Sequence, residues 1–439
     1  MARSPRARRA SPAEGEAWRA RIRMYRQGLG DCFLVTLNAA PRPYHILIDC
    51  GVILGTPDAA QVMTAVAKNI AQVTEGRIDL LVATHEHYDH LSGFVLAKEE
   101  LGALDYGEVW LGWTEDPDDP LARSLVKRRD EALAALRLGA ARLALAGEHA
   151  EAADVDGLLG FFGVAGAGTK QALETVRRLT PAPRYVRPDD APRDLPGGAR
   201  LFVLGPPRDP ALLKKSAPSA GQSYGLDALD RFAADAGQAL AGEGGSPFGP
   251  AYAIPLEIAK AQRFFRETYL EPQEARRRLD DAWLGSLTDL ALQLDSETNN
   301  TSVVLALELA GGDVLLFPAD AQIGSWLSWP ELSWGEGEAK VTGADLLART
   351  ILYKVGHHGS HNATLKPRGL ELMGKLAFAL LPVDQAMAVK KRWGRMPLPD
   401  ILEELERRTA GRVVRIDRDL PTAAAGAVTA EPLFYELTL

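Results

Sequence analysis

The stretch THEHYDH at 84–90 contains three of the eight histidines in the chain, with a glutamate and an aspartate between them. His85 and His87 are two residues apart, so both side chains can reach one metal ion. Asp89 and His90 are adjacent and point elsewhere, so the same short loop can supply ligands to a second, neighbouring ion. The spacing H-x-H-x-D-H therefore predicts a site for two divalent metal ions.

Two further polar clusters follow apolar segments later in the chain. Asp320 ends the segment VLLFPAD, and His357, His358 and His361 lie in the segment KVGHHGSH. A carboxylate between two cations can bridge them and offset part of their repulsion, and Asp320 fits that role. A histidine of the later cluster would complete the second metal site.

The segments that must position these clusters have the length and composition of strands. Each contains a short apolar run rich in β-branched residues that ends in a polar or glycine-containing turn. They are 44–51, 78–85, 200–207, 301–309, 313–320, 351–360, 376–384 and 412–417. Amphipathic helices are predicted at 57–73 and 398–411. Strands and helices in this order indicate an α/β layered architecture, with the metal ligands just past strand ends.

The chain is predicted to form a single domain at 19–439, preceded by a disordered basic tail at 1–18. Two stretches interrupt the strand pattern, at about 114–195 and 208–296, and both are interpreted as helical insertions. We do not expect them to be separate domains, because the metal-binding motifs lie on both sides of them and must converge. Such insertions are candidates for a lid or for a surface that binds a protein partner.

The composition is that of a soluble globular protein. No apolar run reaches the ~18 residues that span a bilayer, and the N-terminus lacks the apolar region of a secretory signal. The two cysteines, Cys32 and Cys50, provide no disulfide framework, so we expect a cytoplasmic protein. The net charge of −8 argues against broad, sequence-independent binding of nucleic acid, but leaves room for local basic patches.

These motifs resemble those of the metallo-β-lactamase superfamily, whose fold is an αββα sandwich with metal ions at one edge. The motif H-x-H-x-D-H at 85–90 is the most specific mark. The sequence is most similar to the branch that contains the nuclease-like domain of the ComEC/Rec2 DNA-uptake proteins and phosphodiesterases similar to it. The segments that carry this resemblance are GLGDCFLV (28–35), ILIDCG (46–51), VATHEHYDHLSG (82–93), VLGPP (203–207), NNTSVVLAL (299–307), LLFPAD (315–320), KVGHHGS (354–360) and GRVVRIDRD (411–419).

The resemblance implies a set of ligands, position by position. These are His85 and His87 for the first ion, Asp89, His90 and His358 for the second, and Asp320 as the bridge. His357 is the alternative to His358, because the sequence does not show which of the two points inward. Asp31 and Asp49 are implied to lie under the site, where they would orient the ligating imidazoles.

One loop departs from the pattern of the lactamases and thioesterases, which carry a further histidine ligand before the strand that corresponds to SVVLAL. Here the loop contains Asn299, Asn300 and Thr301, as is typical of the ComEC-like branch. The first metal site is therefore expected to lack one protein ligand and to be filled less completely than the second. A site richer in oxygen ligands also shifts the preference from zinc towards manganese.

The expected function is a metal-dependent phosphodiesterase or nuclease in which two ions, Zn or Mn, activate a water. His361, or whichever of His357 and His358 is not a ligand, is the candidate proton donor to the leaving group. Asn300 is a candidate hydrogen-bond donor to a phosphoryl oxygen. One alternative is a hydrolase of esters, thioesters or lactones, since one fold hosts many activities. The other is a metal-stabilised subunit of a multi-protein bacterial system with little turnover.

Overall fold

The computed structural model describes the residues 18–146, 149–160, 167–215, 254, 256–270, 287–366, 368–391, 393 and 396–439. The predicted basic tail, apart from its last residue, and most of the predicted insertion at 208–296 lie outside the described residues.

Two large β-sheets form the centre of the molecule. Their strands, with one separate hairpin, are β1 (Ala20–Tyr25), β2 (Cys32–Leu37), β3 (Tyr44–Cys50), β4 (Arg77–Val82), β5 (Asp105–Gly112), β6 (Arg184–Val186), β7 (Arg193–Leu195), β8 (Ala199–Gly205), β9 (Val304–Glu308), β10 (Val314–Phe317), β11 (Ser333–Trp334), β12 (Val341–Thr342), β13 (Thr350–Lys354), β14 (Phe378–Leu381), β15 (Val413–Arg415), β16 (Val428–Ala430) and β17 (Phe434–Thr438). The first sheet has the order β16-β17-β1-β2-β3-β4-β5-β6, and the second has the order β15-β14-β13-β10-β9-β8-β7. Strands β3 to β6 are mutually parallel, as are β10, β13, β14 and β15.

Helices cover the outer faces of the sheets. The described α-helices are Ala59–Val73, Tyr88–Leu91, Gly93–Leu96, Lys98–Gly102, Pro120–Ala146, His149–Leu159, Ala167–Arg177, Pro210–Leu213, Leu256–Ala261, Arg263–Phe265, Leu287–Asn299, Ile323–Ser328, Gly343–Ala348, Gln385–Lys390 and Pro399–Arg408. The first of them buries Met63, Val66, Ala67 and Ile70, which is the spacing of one helical face. In the part of the chain that the structure describes, no helix has both the length and the apolar character needed to cross a membrane.

Alternating side chains along the strands separate three apolar layers. Ile46 of β3 and Leu305 of β9 lie in one cluster between the two sheets. Their neighbours point the other way, because successive side chains in a strand face opposite sides. Leu47 packs under helix Ala59–Val73, and Ala306 packs among the helices of the second sheet. The layers are helix, sheet, sheet and helix, so the αββα sandwich predicted from the sequence is confirmed.

The first insertion is helical only in its earlier part. Three helices occupy 120–177 apart from their connections, but β6 and β7 follow them. Each of these short strands extends the edge of one large sheet. The helical prediction for the last part of 114–195 is therefore wrong, because three-residue strands are too short to show a recognisable apolar period.

A tight backbone contact holds the end of β3 against the loop that follows β4. Gly51 comes directly after β3, and a Cβ atom there would lie 2.5 Å from the carbonyl oxygen of Asp89 and 2.6 Å from the carbonyl carbon of His90. The amide of Asp31 donates to the same carbonyl of Asp89 at 3.0 Å. Only glycine leaves room for this approach, so the position of the loop depends on residue 51.

Gly51→Ala is expected to lower the free energy of unfolding by about 2 kcal/mol, because the new methyl group displaces the backbone of Asp89 and His90. Urea unfolding of the metal-free protein, followed by circular dichroism, measures the change. Gly102→Ala is the matched control, since nothing lies within 4 Å of a Cβ atom at that position. Equal stability of Gly51→Ala and the control would contradict the prediction.

Candidate metal centre

The candidate site lies where the carboxyl ends of parallel strands from both sheets meet, the usual place for a functional site in such sheets. The loop 83–87 follows β4, Asp320 follows β10, and the turn Gly356–Gly359 follows β13. The side chains brought together there, none more than 6% exposed, are His85, His87, Asp89, His90, Asp320, His357 and His358. The structure thus unites the motifs that the sequence placed on either side of the insertions.

Four side chains direct atoms into one small space. His358 Nε2 lies 3.0 Å from Asp89 Oδ2 and 3.7 Å from Asp320 Oδ2. His90 Nε2 lies 3.1 Å from Asp320 Oδ2 and 3.9 Å from Asp89 Oδ2. Ligands held at ~2.1 Å around one tetrahedral ion are about 3.4 Å apart. These four atoms therefore have the mutual spacing expected of the ligands of a single ion.

Several of these atoms have no hydrogen-bond partner among the described residues. They are His90 Nε2, Asp320 Oδ2 and Asp89 Oδ1, all of them buried. Although the first two are close to each other, their geometry is not that of a hydrogen bond. A buried polar atom without a partner costs about 1–3 kcal/mol. A divalent cation between His90 Nε2 and Asp320 Oδ2 would satisfy both of these atoms, so the residues present fit a metal ion.

Hydrogen bonds fix the orientation of the two rings. His358 Nδ1 lies 2.7 Å from the carbonyl oxygen of Pro382, which can only accept, so Nδ1 carries a proton and Nε2 is the nitrogen directed at the other candidate ligands. His90 Nδ1 lies 2.7 Å from Asp49 Oδ2. Asp49 is held in turn by Thr84, whose amide and hydroxyl both donate to its carboxylate. This is the arrangement that supports metal-ligating histidines, with Asp49 bonded to the outer nitrogen of His90.

Asp31 belongs on the outer side of the two rings. One potential ligand atom from each of four residues lies within 4.8 Å of all the others, and these residues are Asp31, His90, Asp320 and His358. However, the carboxylate of Asp31 lies 3.9 Å from the Nδ1 atoms of both His90 and His358, and these nitrogens face away from the space between the ligands. Asp89, which faces their Nε2 atoms, is the better candidate ligand. The resemblance implies a supporting role for Asp31, and the structure places its carboxylate beside the outer nitrogens of the two rings.

A buried lysine, which the sequence analysis missed, joins this cluster. Lys354 is 1% exposed, and its ammonium lies 2.6 Å from Asp31 Oδ2 and 3.3 Å from Asp320 Oδ1. It also donates to the carbonyl oxygen of Ala319 at 2.8 Å. Burial alone would lower the pKa of Lys354, but the two carboxylates raise it, so the side chain remains charged. Its bond with Asp320 leaves Oδ2 as the oxygen available to a metal ion.

The remaining histidines of the loop form a second group beside the first. His85 Nε2 lies 3.0 Å from His87 Nδ1, and the rings of His85 and His90 are 4.2 Å apart between centroids. On the other side, His85 Nδ1 contacts the hydroxyl of Ser302 at 3.3 Å. Burial lowers the pKa of His87 to about 3. The ring is therefore neutral at physiological pH, the form in which imidazole binds metals.

A helix that the sequence assigned to the second insertion supports this group. His87 Nε2 lies 3.7 Å from Asp295 Oδ1 on helix Leu287–Asn299. One turn later Asn299 Nδ2 donates to Asp295 Oδ2 at 3.1 Å and lies 3.5 Å from His357 Nε2. Asp295 was not predicted. Its only signal is the four-residue spacing to Asn299, which places both side chains on one helix face.

Two predicted catalytic side chains do not face the cluster. Asn300 Nδ2 donates to the carbonyl oxygens of Leu213 and Lys215, both at 3.0 Å, and its Oδ1 accepts from the amide of Gln322 at 3.0 Å. The polar atoms of its side chain are thus occupied by the backbone, so its position gives no support to the predicted bond to a phosphoryl oxygen. His361 is exposed, so its predicted role as a proton donor has no support from its position.

Buried ion pairs bind the first insertion to the loop of candidate ligands. Glu86, between His85 and His87, pairs with Arg129 on helix Pro120–Ala146. Arg129 also pairs with Glu115 at 3.2 Å, and all three of these charged side chains are less than 9% exposed. The insertion is therefore fixed to the loop that positions the histidines.

The family comparison agrees with this geometry. Residues 26–146 match the model of the metallo-β-lactamase superfamily, so the chain contains a domain of that superfamily. The matched part includes the loop with the H-x-H-x-D-H motif. The search of curated proteins returned no match. A domain of this superfamily with a buried cluster of histidines and aspartates indicates a metal-dependent hydrolase.

Arg129→Met is expected to destabilise the protein by about 3 kcal/mol, because it leaves the buried Glu86 and Glu115 without their partner. Lys127→Met on the same helix is the control, since Lys127 pairs with Glu131 at 3.8 Å on an exposed surface, and such pairs contribute roughly 0–1 kcal/mol. Urea unfolding compares the two variants. Equal, small losses would show that the buried pairs do not hold the insertion.

Metal binding is expected to release protons at pH 7. Burial lowers the pKa of His90 and His358, but Asp320 and neighbouring carboxylates outweigh it and raise both pKa values. Both rings are thus protonated in the metal-free protein, and an ion must displace those protons. The affinity for Mn²⁺ should then rise with pH. Calorimetric titrations in PIPES and in Tris, which differ in ionisation enthalpy, detect the release; identical apparent enthalpies would contradict it.

Proposed function

We propose that this superfamily domain is a phosphodiesterase or nuclease that uses two divalent ions, Mn or Zn. The observation that carries the proposal is the division of the inward-facing atoms into two adjacent groups. His85 and His87 form one group, and the second is formed around Asp320 Oδ2. Sites for two neighbouring ions are typical of enzymes that displace an oxygen at phosphorus, such as phosphatases and nucleases.

The candidate ligands and the groups that support them would have different roles in the reaction. When bound, the two ions would supply an activated water and would stabilise the charge on the departing oxygen. Asp49 and the carbonyl of Pro382 hold two ligand rings in place. Lys354 offsets part of the negative charge of Asp31 and Asp320. This lowers the repulsion that an anionic phosphodiester would meet on approaching the cluster.

Protein loaded with Mn²⁺ or Zn²⁺ is expected to hydrolyse bis-p-nitrophenyl phosphate and to cleave DNA. Asp89→Asn should reduce both rates to background, because it removes a charged candidate ligand without changing the size of the side chain. Asp105→Asn is the matched control, since Asp105 is exposed and begins β5, at the opposite ends of the strands from the site. Equal rates for wild type and Asp89→Asn with every metal would end the proposal.

The same assays separate the alternatives. Hydrolysis of thioesters, esters or lactones without phosphodiester cleavage would favour an acyl hydrolase on the same fold. Tight metal binding without turnover of any substrate, together with capture of a protein partner that depends on the insertions, would favour a docking subunit. Retention of phosphodiesterase activity in excess chelator would exclude a metal-dependent reaction.

A further inference from the structure

We infer that His357 is the third protein ligand of the site formed by His85 and His87, so that the two adjacent histidines of the turn Gly356–Gly359 serve different ions. The inference rests on the proposed site for two ions. It replaces the expectation that the first site lacks a ligand.

The backbone of the turn directs both histidines to the same interior. His357 and His358 have φ angles of 41° and 52°, in the left-handed region that non-glycine residues rarely adopt. His357 Nε2 lies 4.0 Å from Asp320 Oδ2, and His358 Nε2 lies 3.7 Å from the same oxygen. Their ring centroids are nevertheless 6.0 Å apart. The two nitrogens therefore approach the shared oxygen from different positions.

Contacts with helix Leu287–Asn299 place His357 on the side of His87. Asp295 of this helix faces His87, and Asn299, one turn later, lies 3.5 Å from His357 Nε2. His358 instead hydrogen-bonds Asp89. Asn299 Oδ1 is buried and has no hydrogen-bond partner among the described residues. The surroundings of His357 therefore include a polar oxygen that still needs a partner.

The far side of the ring has the support expected of a ligand. His357 Nδ1 lies 2.9 Å from Ser360 Oγ, and this hydroxyl donates its proton to Asn362 Oδ1 at 2.9 Å. Ser360 Oγ must therefore accept from Nδ1, which leaves the lone pair on Nε2, towards the cluster. Gln322 Nε2, at 3.4 Å, is the more distant neighbour of Nδ1. His358 likewise donates from Nδ1 to a backbone group, the carbonyl oxygen of Pro382.

Metal counting tests the inference without measuring turnover. The full chain is stripped with a chelator, reloaded with Zn²⁺ alone, dialysed, and analysed for zinc per chain by mass spectrometry. Wild type should hold two ions and His357→Asn one; asparagine is chosen because it tolerates a positive φ. The exposed His361→Asn should still hold two ions. Two ions in His357→Asn, or one in wild type, would overturn the inference.

Double variants show which ion is lost. His357→Asn combined with His85→Asn should retain one ion, because both changes affect the same site. His357→Asn combined with His358→Asn should retain none. The opposite pattern would assign His357 to the second site. If a variant does not fold, anomalous diffraction from Zn²⁺-loaded wild-type crystals decides instead, since an ion either contacts His357 Nε2 or does not. Two zinc ions in a protein without phosphodiesterase activity would refute the proposed function but not this ligand.

Discussion

The structure depends on keeping several carboxylates buried at one point. Those of Asp31, Asp49, Asp89 and Asp320 are at most 1% exposed and lie at the meeting edge of the two sheets. A carboxylate taken out of water without compensation costs several kcal/mol. The surrounding elements supply that compensation as an ammonium group, two protonated imidazoles and the donors of Thr84. Strand ends, tight glycine contacts and left-handed turns all serve to bring these groups within reach.

Both insertions contribute to this arrangement. Arg129, from the first, holds Glu86 in the loop of candidate ligands. Asp295, which the sequence assigned to the second, lies 3.7 Å from His87 Nε2. The helices outside the sandwich are therefore part of the support of the site. A change in either insertion should therefore alter the positions of the histidines, through the carboxylate of Glu86 or that of Asp295.

The sequence predicted those parts of the site that are encoded locally. The motif at 85–90 places its candidate ligands on one short loop, and apolar strands before each cluster predicted that the clusters would meet. Lys354 was not predicted as a site residue, because it lies inside an apolar segment that was predicted to be a strand. Asp295 contacts His87, and Arg129 pairs with Glu86, and both partners are distant in the sequence. No local sequence pattern predicts such contacts. The direction of Asn300 depends on how its helix ends against residues 213–215.

Lys354 is a cation that belongs to the chain itself, unlike a metal ion, which must be bound from solution. Because its ammonium group already neutralises part of the charge of Asp31 and Asp320, the strand ends can assemble before any ion arrives. Folding and metal loading are then separate events in the life of the protein. The folded chain can then exist while metal is scarce and take up its ions afterwards.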